Sequence, residues 1–162
     1  MSRRSAPPSQ PPHEWFDQPD PELGKPGLRF ECTQCGNCCS GPPGFVHFTE
    51  AEAVAMAGAI GIEPGDFYEK YTEVTPMGRS LRERLTRHGY DCVFLDRETI
   101  PGKAICRVYA DRPAQCRTWP FWKSNLRSRN AWESAKRTCP GMDQGPLIPP
   151  EQIRIQRARS DA

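Results

Sequence analysis

The residues of this chain best suited to chemistry are its eight cysteines, Cys32, Cys35, Cys38, Cys39, Cys92, Cys106, Cys116 and Cys139. In Cys32-Thr33-Gln34-Cys35-Gly36-Asn37-Cys38-Cys39 the Cys-x-x-Cys spacing occurs twice in register. That spacing lets a tight turn aim two thiolates at one ion, as in zinc knuckles and iron-sulfur loops. Gly36 follows Cys35 directly, where a residue free to take positive φ helps the backbone wrap a metal and turn its amides toward the sulfurs. Adjacent Cys38 and Cys39 point to different sides of the backbone, so the pair does not fill two regular tetrahedral positions on one zinc ion. One of them serves a second centre or stays reactive. The remaining four cysteines lie far apart in sequence, and eight thiolates suffice for two sites of four sulfur ligands. The first three positions also match the start of the ferredoxin run C-x2-C-x2-C-x3-C-P, with Pro42 in the fourth place. Cys139-Pro140 is a distant replacement. A [4Fe-4S] centre on Cys32, Cys35, Cys38 and Cys139 therefore stands beside zinc, and the spacing leaves zinc and iron both open.

Metal is expected here rather than disulfides because of compartment. Residues 1–20 hold two arginines but no apolar stretch behind them, so no secretory signal is read. No segment approaches the roughly 18 apolar residues of a membrane span. The expectation is a cytoplasmic protein in a reducing environment, where closely spaced cysteines act as metal ligands. Its expected partner is a metal ion or cluster, with no membrane partner; the sequence identifies no protein partner.

Other side chains are weighed against that centre. Arg112 and Arg117 flank Cys116, where a guanidinium can lower a thiolate pKa or hydrogen-bond an acidic group, and both are candidate supporting residues. His13, His47 and His88 are read as surface or half-buried residues rather than ligands. Trp119, Phe121 and Trp122 around Pro120 are read as core that shields a metal from water. Between Lys123 and Arg137 five cations surround Trp132, yet the whole chain carries a formal charge of only +2. That run is read as a solvated face rather than a nucleic-acid surface. No HExxH or comparable His and carboxylate set appears, which argues against a metal-dependent hydrolase, and no catalytic residue is assigned.

The elements that must position the cysteines are short. Leu, Ile, Val and Phe make up 26 of 162 residues, below the roughly one fifth with which a chain buries a full apolar core. Small domains short of core recruit staples. The expected fold is therefore α+β, a small metal-stapled domain of short strands, a hairpin and short helices. Residues 1–27, with seven prolines among polar residues, read as a disordered tail; residues 28–148 as the cysteine-cluster domain; residues 149–162 as a peripheral helical segment. Within the domain, strands are predicted at 28–31 and 46–48. A helix from Glu50 to Ile60 should start on the capping box Thr49…Glu52 and end at Gly61, with a short helix from Pro64 through Tyr71. Residues 75–89 give no clear pattern. Residues 92–95 and 104–109 should form a hairpin across Pro101-Gly102, bringing Cys92 and Cys106 close. A helix should start at Asp111-Arg112-Pro113 and stop at Pro120, another should open on Asn130…Glu133, and Cys139-Pro140-Gly141 should end the compact region.

The motifs together resemble the YkgJ-like cysteine-cluster family, a zinc- or iron-chelating domain. The resemblance rests on Cys32 to Cys39, on Cys92-Val93-Phe94-Leu95 and Cys106-Arg107-Val108-Tyr109, on the run Arg112 to Phe121, and on Cys139-Pro140-Gly141. It spans about Phe30 to Gly141 and takes in all eight cysteines. It implies metal chelation by those cysteines. Some related domains occur in flagellin lysine methylases; this chain holds no recognisable cofactor-binding addition, so that activity does not carry over. The alternative it leaves is an iron-sulfur redox or metal-handling protein.

Overall fold

The capping signals predicted for the first helix are realised in the computed structural model, which describes residues 13–160. Strand β1 (Leu28–Phe30) leads into the cysteine loop, and helix α1 (Glu50–Ala59) follows it. Thr49 Oγ1 accepts from the Glu52 amide at 3.2 Å, and Glu52 Oε2 accepts from the Thr49 amide at 2.8 Å. Two otherwise orphaned helical donors are thus satisfied. Gly61, at φ +71°, ends the helix, and α2 (Pro64–Tyr71) begins with its proline in the first turn.

The stretch without a clear sequence pattern folds as two antiparallel hairpins, β2 (Thr72–Thr75) with β3 (Gly78–Leu81) and β4 (Glu83–Thr86) with β5 (Gly89–Cys92). Both use the same turn, Thr-x-x-Gly. The Thr75 hydroxyl donates to the Gly78 carbonyl and accepts from the Met77 amide; Thr86 does the same with Gly89 and His88. Strands β6 (Leu95–Asp96) and β7 (Ile105–Cys106) pair next. Helices α3 (Ala114–Arg117), α4 (Lys123–Leu126) and α5 (Arg129–Lys136) follow, then β8 (Met142–Ile148), antiparallel to β1, and α6 (Pro150–Arg159). The class is α+β, as predicted: six helices and four small antiparallel strand pairs among the described residues. No helix among them is long and apolar enough to cross a membrane.

Several expectations are corrected. Residues 46–48 form no strand: the Val46 carbonyl accepts from the Leu81 amide, but the Val46 amide donates to Ser80 Oγ and the His47 amide to Gln115 Oε1. Cys92 is not on the hairpin with Cys106; it ends β5 opposite Glu83, and Cys106 lies across from Leu95. Helix α5 is capped by Ser128, whose Oγ accepts from the Ala131 amide, two residues before the predicted Asn130. Beyond Gly141 the chain does not leave the compact body but continues as β8 against β1.

The expected tail divides. Residues 1–12 lie outside the described residues, whereas residues 13–27 are folded onto the protein. Phe16 is only 1% exposed, and the Trp15 indole donates to the Leu126 carbonyl at 2.7 Å. Arg154 and Arg157 of α6 pair with Glu14 and Asp17. The segment read as peripheral at the C-terminus is therefore a docking partner, and its Ile153 is fully buried. Proline-rich composition misled here because two aromatic side chains suffice to anchor a segment that cannot form a core alone.

The apolar side chains collect in two cores. One joins both ends of the chain through Phe16, Leu28, Phe121, Leu126, Trp132, Cys139, Met142 and Ile153. The other is built from the middle of the chain by Phe48, Ala53, Met56, Ala57, Phe67, Leu81, Phe94 and Val108. Phe16→Ala should cost about 3 kcal/mol in a urea unfolding series, and a loss below about 0.5 kcal/mol, the level of an ordinary surface change, would show that residues 13–27 do not dock.

Candidate metal centre

The cysteine loop is held open by its backbone. Gln34 at φ +58° and Gly36 at φ +76° both take left-handed conformations, and Gly36 opens a 3-10 turn over Asn37–Cys39 closed by the Cys39 amide on the Gly36 carbonyl. A side chain at Gly36 would also meet the Ala104 Cβ at 2.5 Å, so glycine is required twice over. Tethers fix the loop on both flanks. The Ala104 amide donates to the Gln34 carbonyl, and the Glu31 amide to the Gly141 carbonyl. Asn37 Nδ2 donates to the Thr138 carbonyl at 2.8 Å, and Ser40 Oγ to Asp91 Oδ1 at 2.5 Å.

These tethers gather the thiols. Cys32, Cys35, Cys38, Cys39, Cys106, Cys116 and Cys139 line one cavity of about 340 Å³, whose walls include Phe30, Leu95, Ala104, Tyr109 and Trp119. Arg112 is the one charged residue in that lining. Cys92 stands behind the wall, packed against the middle core. All eight cysteines are free thiols, and Cys38 Sγ lies 3.6 Å from Cys39 Sγ. Among the described residues no three His, Cys, Asp or Glu side chains are drawn together closely enough to ligate one ion. The thiols surround the cavity rather than meeting at a point, so coordination requires side-chain rotation, to which exposed Cys32 and Cys38 are open. An all-sulfur donor set in an apolar pocket fits a thiophilic ion or an iron-sulfur cluster.

The electrostatics give these thiols a common need. Burial pushes Cys92 up to about 11 and raises Cys116 further, with neighbouring thiols adding to it. Burial likewise raises Cys106 and Cys139. Cys38 moves the other way, to about 7, because the Cys39 thiol donates to it, with help from its own amide and from Arg112. Cys39, as that donor and itself buried, is raised. Thiolates in apolar surroundings need a positive neighbour, and a divalent ion supplies it most strongly.

Supporting residues divide unevenly. The Arg112 guanidinium lies 3.6 Å over the Tyr109 ring and donates from Nε to the Tyr109 carbonyl, facing the cavity. Arg117 does not line the cavity and pairs with Glu52 at 3.4 Å. Trp119 donates its indole N–H to Cys139 Sγ at 3.4 Å, while Phe121 is core against Trp132. None of the three histidines lines the cavity. Sequence reasoning missed Asp91 and Arg97. Asp91 is 2% exposed and accepts a bidentate pair from Arg97 at 2.9 and 3.0 Å, which with Ser40 holds its carboxyl down at about 2. An Asp beside a cysteine and an Arg six residues on form no recognisable spacing; only the fold brings them to Ser40.

Gly36 and Gly61 share a left-handed backbone, but at Gly61 an added methyl group would have nothing within 4 Å. Gly61→Ala should cost about 1 kcal/mol from backbone conformation alone. Gly36→Ala adds overlap with Ala104 and should cost about 3 kcal/mol or more and lower the metal bound per chain. Equal losses in the two variants, read from denaturant melts, would show that the loop does not pack as described.

No solved structure matches the chain. A family model does, over residues 31–140: CxxCxxCC, "Putative zinc- or iron-chelating domain". The matched span begins one residue before Cys32 and ends one residue after Cys139, so it contains all eight cysteines. The chain belongs to the CxxCxxCC family of zinc- or iron-chelating domains.

Proposed function

We propose that the cysteine thiolates are the metal ligands of this domain and that the bound metal joins its two cores into one folded unit. The observation that carries this reading is the origin of the thiols on a single cavity. Cys139 belongs to the core made by the chain ends, Cys106 packs against the core made by the middle, and the Cys32–Cys39 loop runs between them. A metal held there would cross-link two small cores, neither of which is large. Structural thiolate sites contribute on the order of 10 kcal/mol of folding free energy. Free thiols throughout accord with a reducing, cytoplasmic setting.

A second reading, an iron-sulfur centre used for redox or metal handling, is favoured by one specific feature. Cys32, Cys35, Cys38 and Cys139, the set that the ferredoxin-like spacing calls for, line the same cavity, and its volume of about 340 Å³ is roomier than one ion needs.

One experiment tests both readings. The chain is purified anaerobically, zinc, iron and acid-labile sulfide are counted per chain, and unfolding is followed after a chelator is added. Zinc without sulfide, with loss of the native fold on chelation, supports the structural ion; brown protein with matched iron and sulfide supports the cluster. Metal-free protein that melts unchanged with or without chelator overturns both.

A further inference from the structure

The proposed metal centre does not use a second cavity, of about 690 Å³. It has about twice the volume of the cysteine cavity, and Leu95 stands in the wall of both. Four arginines from separate elements line it: Arg84 on β4, Arg87 in the turn between β4 and β5, Arg97 just after β6 and Arg107 just after β7. The short hairpins bring to one cavity side chains that lie up to 23 positions apart in the chain.

These guanidiniums are positioned more than they are neutralised. Arg84 donates from Nη2 to the Leu95 carbonyl at 2.8 Å, and Arg87 from Nε to His88 Nε2 at 3.1 Å. A carbonyl is uncharged, and an imidazole nitrogen that accepts a hydrogen bond carries no proton, so both arginines keep their charge and several unused N–H groups. The Arg107 side chain makes no hydrogen bond and no ion pair among the described residues. Three carboxylates share the lining, and each has another position or task. Asp91 is buried and spent on Arg97 and Ser40. Asp96 accepts from the Glu98 and Thr99 amides and the Thr99 hydroxyl of its own turn, near Arg107 but not paired with it. Glu98 is exposed and pairs with none of the arginines. Of the four guanidiniums, only that of Arg97 is matched by a carboxylate in contact.

We propose that this cavity binds a small molecule carrying a diphosphate group, inorganic or esterified. A guanidinium offers a planar fork of donors that matches phosphate oxygens, and several of them on separate elements suit an anion with more than one charged centre. The volume lies within the roughly 300–1,000 Å³ of small-molecule sites, and exceeds what a single phosphate fills. Arg84, Arg87 and Arg107 are exposed and supply the contacts, while Arg97, held on Asp91, contributes its remaining Nη1. No cysteine lines this cavity, so the site stands independently of the metal-binding reading.

The probe is pyrophosphate, titrated calorimetrically into the full chain as purified. Saturable binding with a dissociation constant below about 1 mM is expected. Arg84→Gln and Arg107→Gln should each weaken it about tenfold with the far-ultraviolet circular dichroism unchanged. Arg159→Gln removes the same charge from an exposed position on α6 that does not line the cavity, and should leave binding as it was. ADP separates the two sources: affinity at least equal to that of pyrophosphate identifies an esterified diphosphate, and weaker affinity the inorganic ion. No saturation at about 10 mM pyrophosphate, tenfold above the expected limit, would overturn the proposal. So would sulfate binding as tightly as pyrophosphate, which would mean an adventitious ion only, or an equal loss in Arg159→Gln and Arg107→Gln, which would mean diffuse attraction to a basic surface.

Discussion

The structure depends on a seam of thiols between two cores. With so few aliphatic residues the chain does not form one continuous apolar interior. It gathers one cluster from its ends and another from its middle, and lays the cysteine loop between them. Apolar burial alone, at about 25 cal/mol per Å², stabilises each cluster but does little to hold the two in register. Directed bonds do that: carbonyl tethers at Gln34 and Gly141, the Asn37 amide on Thr138, and Ser40 on Asp91. Metal–thiolate bonds across the seam would complete a cross-link that these hydrogen bonds only prearrange.

What the sequence disclosed followed from how local the determining physics is. Caps and breakers act within four residues, so Thr49, Glu52, Gly61 and Pro64 declared α1 and α2 closely. The Thr-x-x-Gly hairpins depend equally on local hydrogen bonds, but their strands carry exposed Val74 and Leu85 and alternate poorly, so the period-two signal was missing. Strand β8 was hidden because Gly145 and Pro146 interrupt it and because its partner β1 lies more than a hundred residues away. Docking of residues 13–27 was hidden for the same reason: Phe16, Trp15 and the acidic pair find their partners in α4 and α6 at the far end of the chain.

The candidate site shows the same division. The cysteines declared themselves by type and spacing, since a thiol repeated at intervals of three has few other uses. Where the loop is fastened to the rest of the fold did not follow, because that depends on Asn37 and Ser40, two ordinary polar residues whose partners lie 101 and 51 positions away. The charge environment was half legible. Arg112 stands next to a motif cysteine in sequence; Arg97 reaches the loop only through Asp91.

On the proposed thiolate ligation, charge balance gives the two nearby guanidiniums a role. Four thiolates on a divalent ion leave the centre with two net negative charges, and an apolar pocket disfavours any unbalanced charge. Arg112 faces the cavity from the Tyr109 side, fixed by a carbonyl and an aromatic ring. Arg97 stands on the Asp91 side of the loop, where Asp91 neutralises part of its charge but also fixes its position. Arginine suits both places because its guanidinium stays protonated in a pocket and spreads its donors in a plane. The same Asp91 that positions Arg97 also receives Ser40, the residue after Cys39, so one buried carboxylate ties a guanidinium to the end of the cysteine loop.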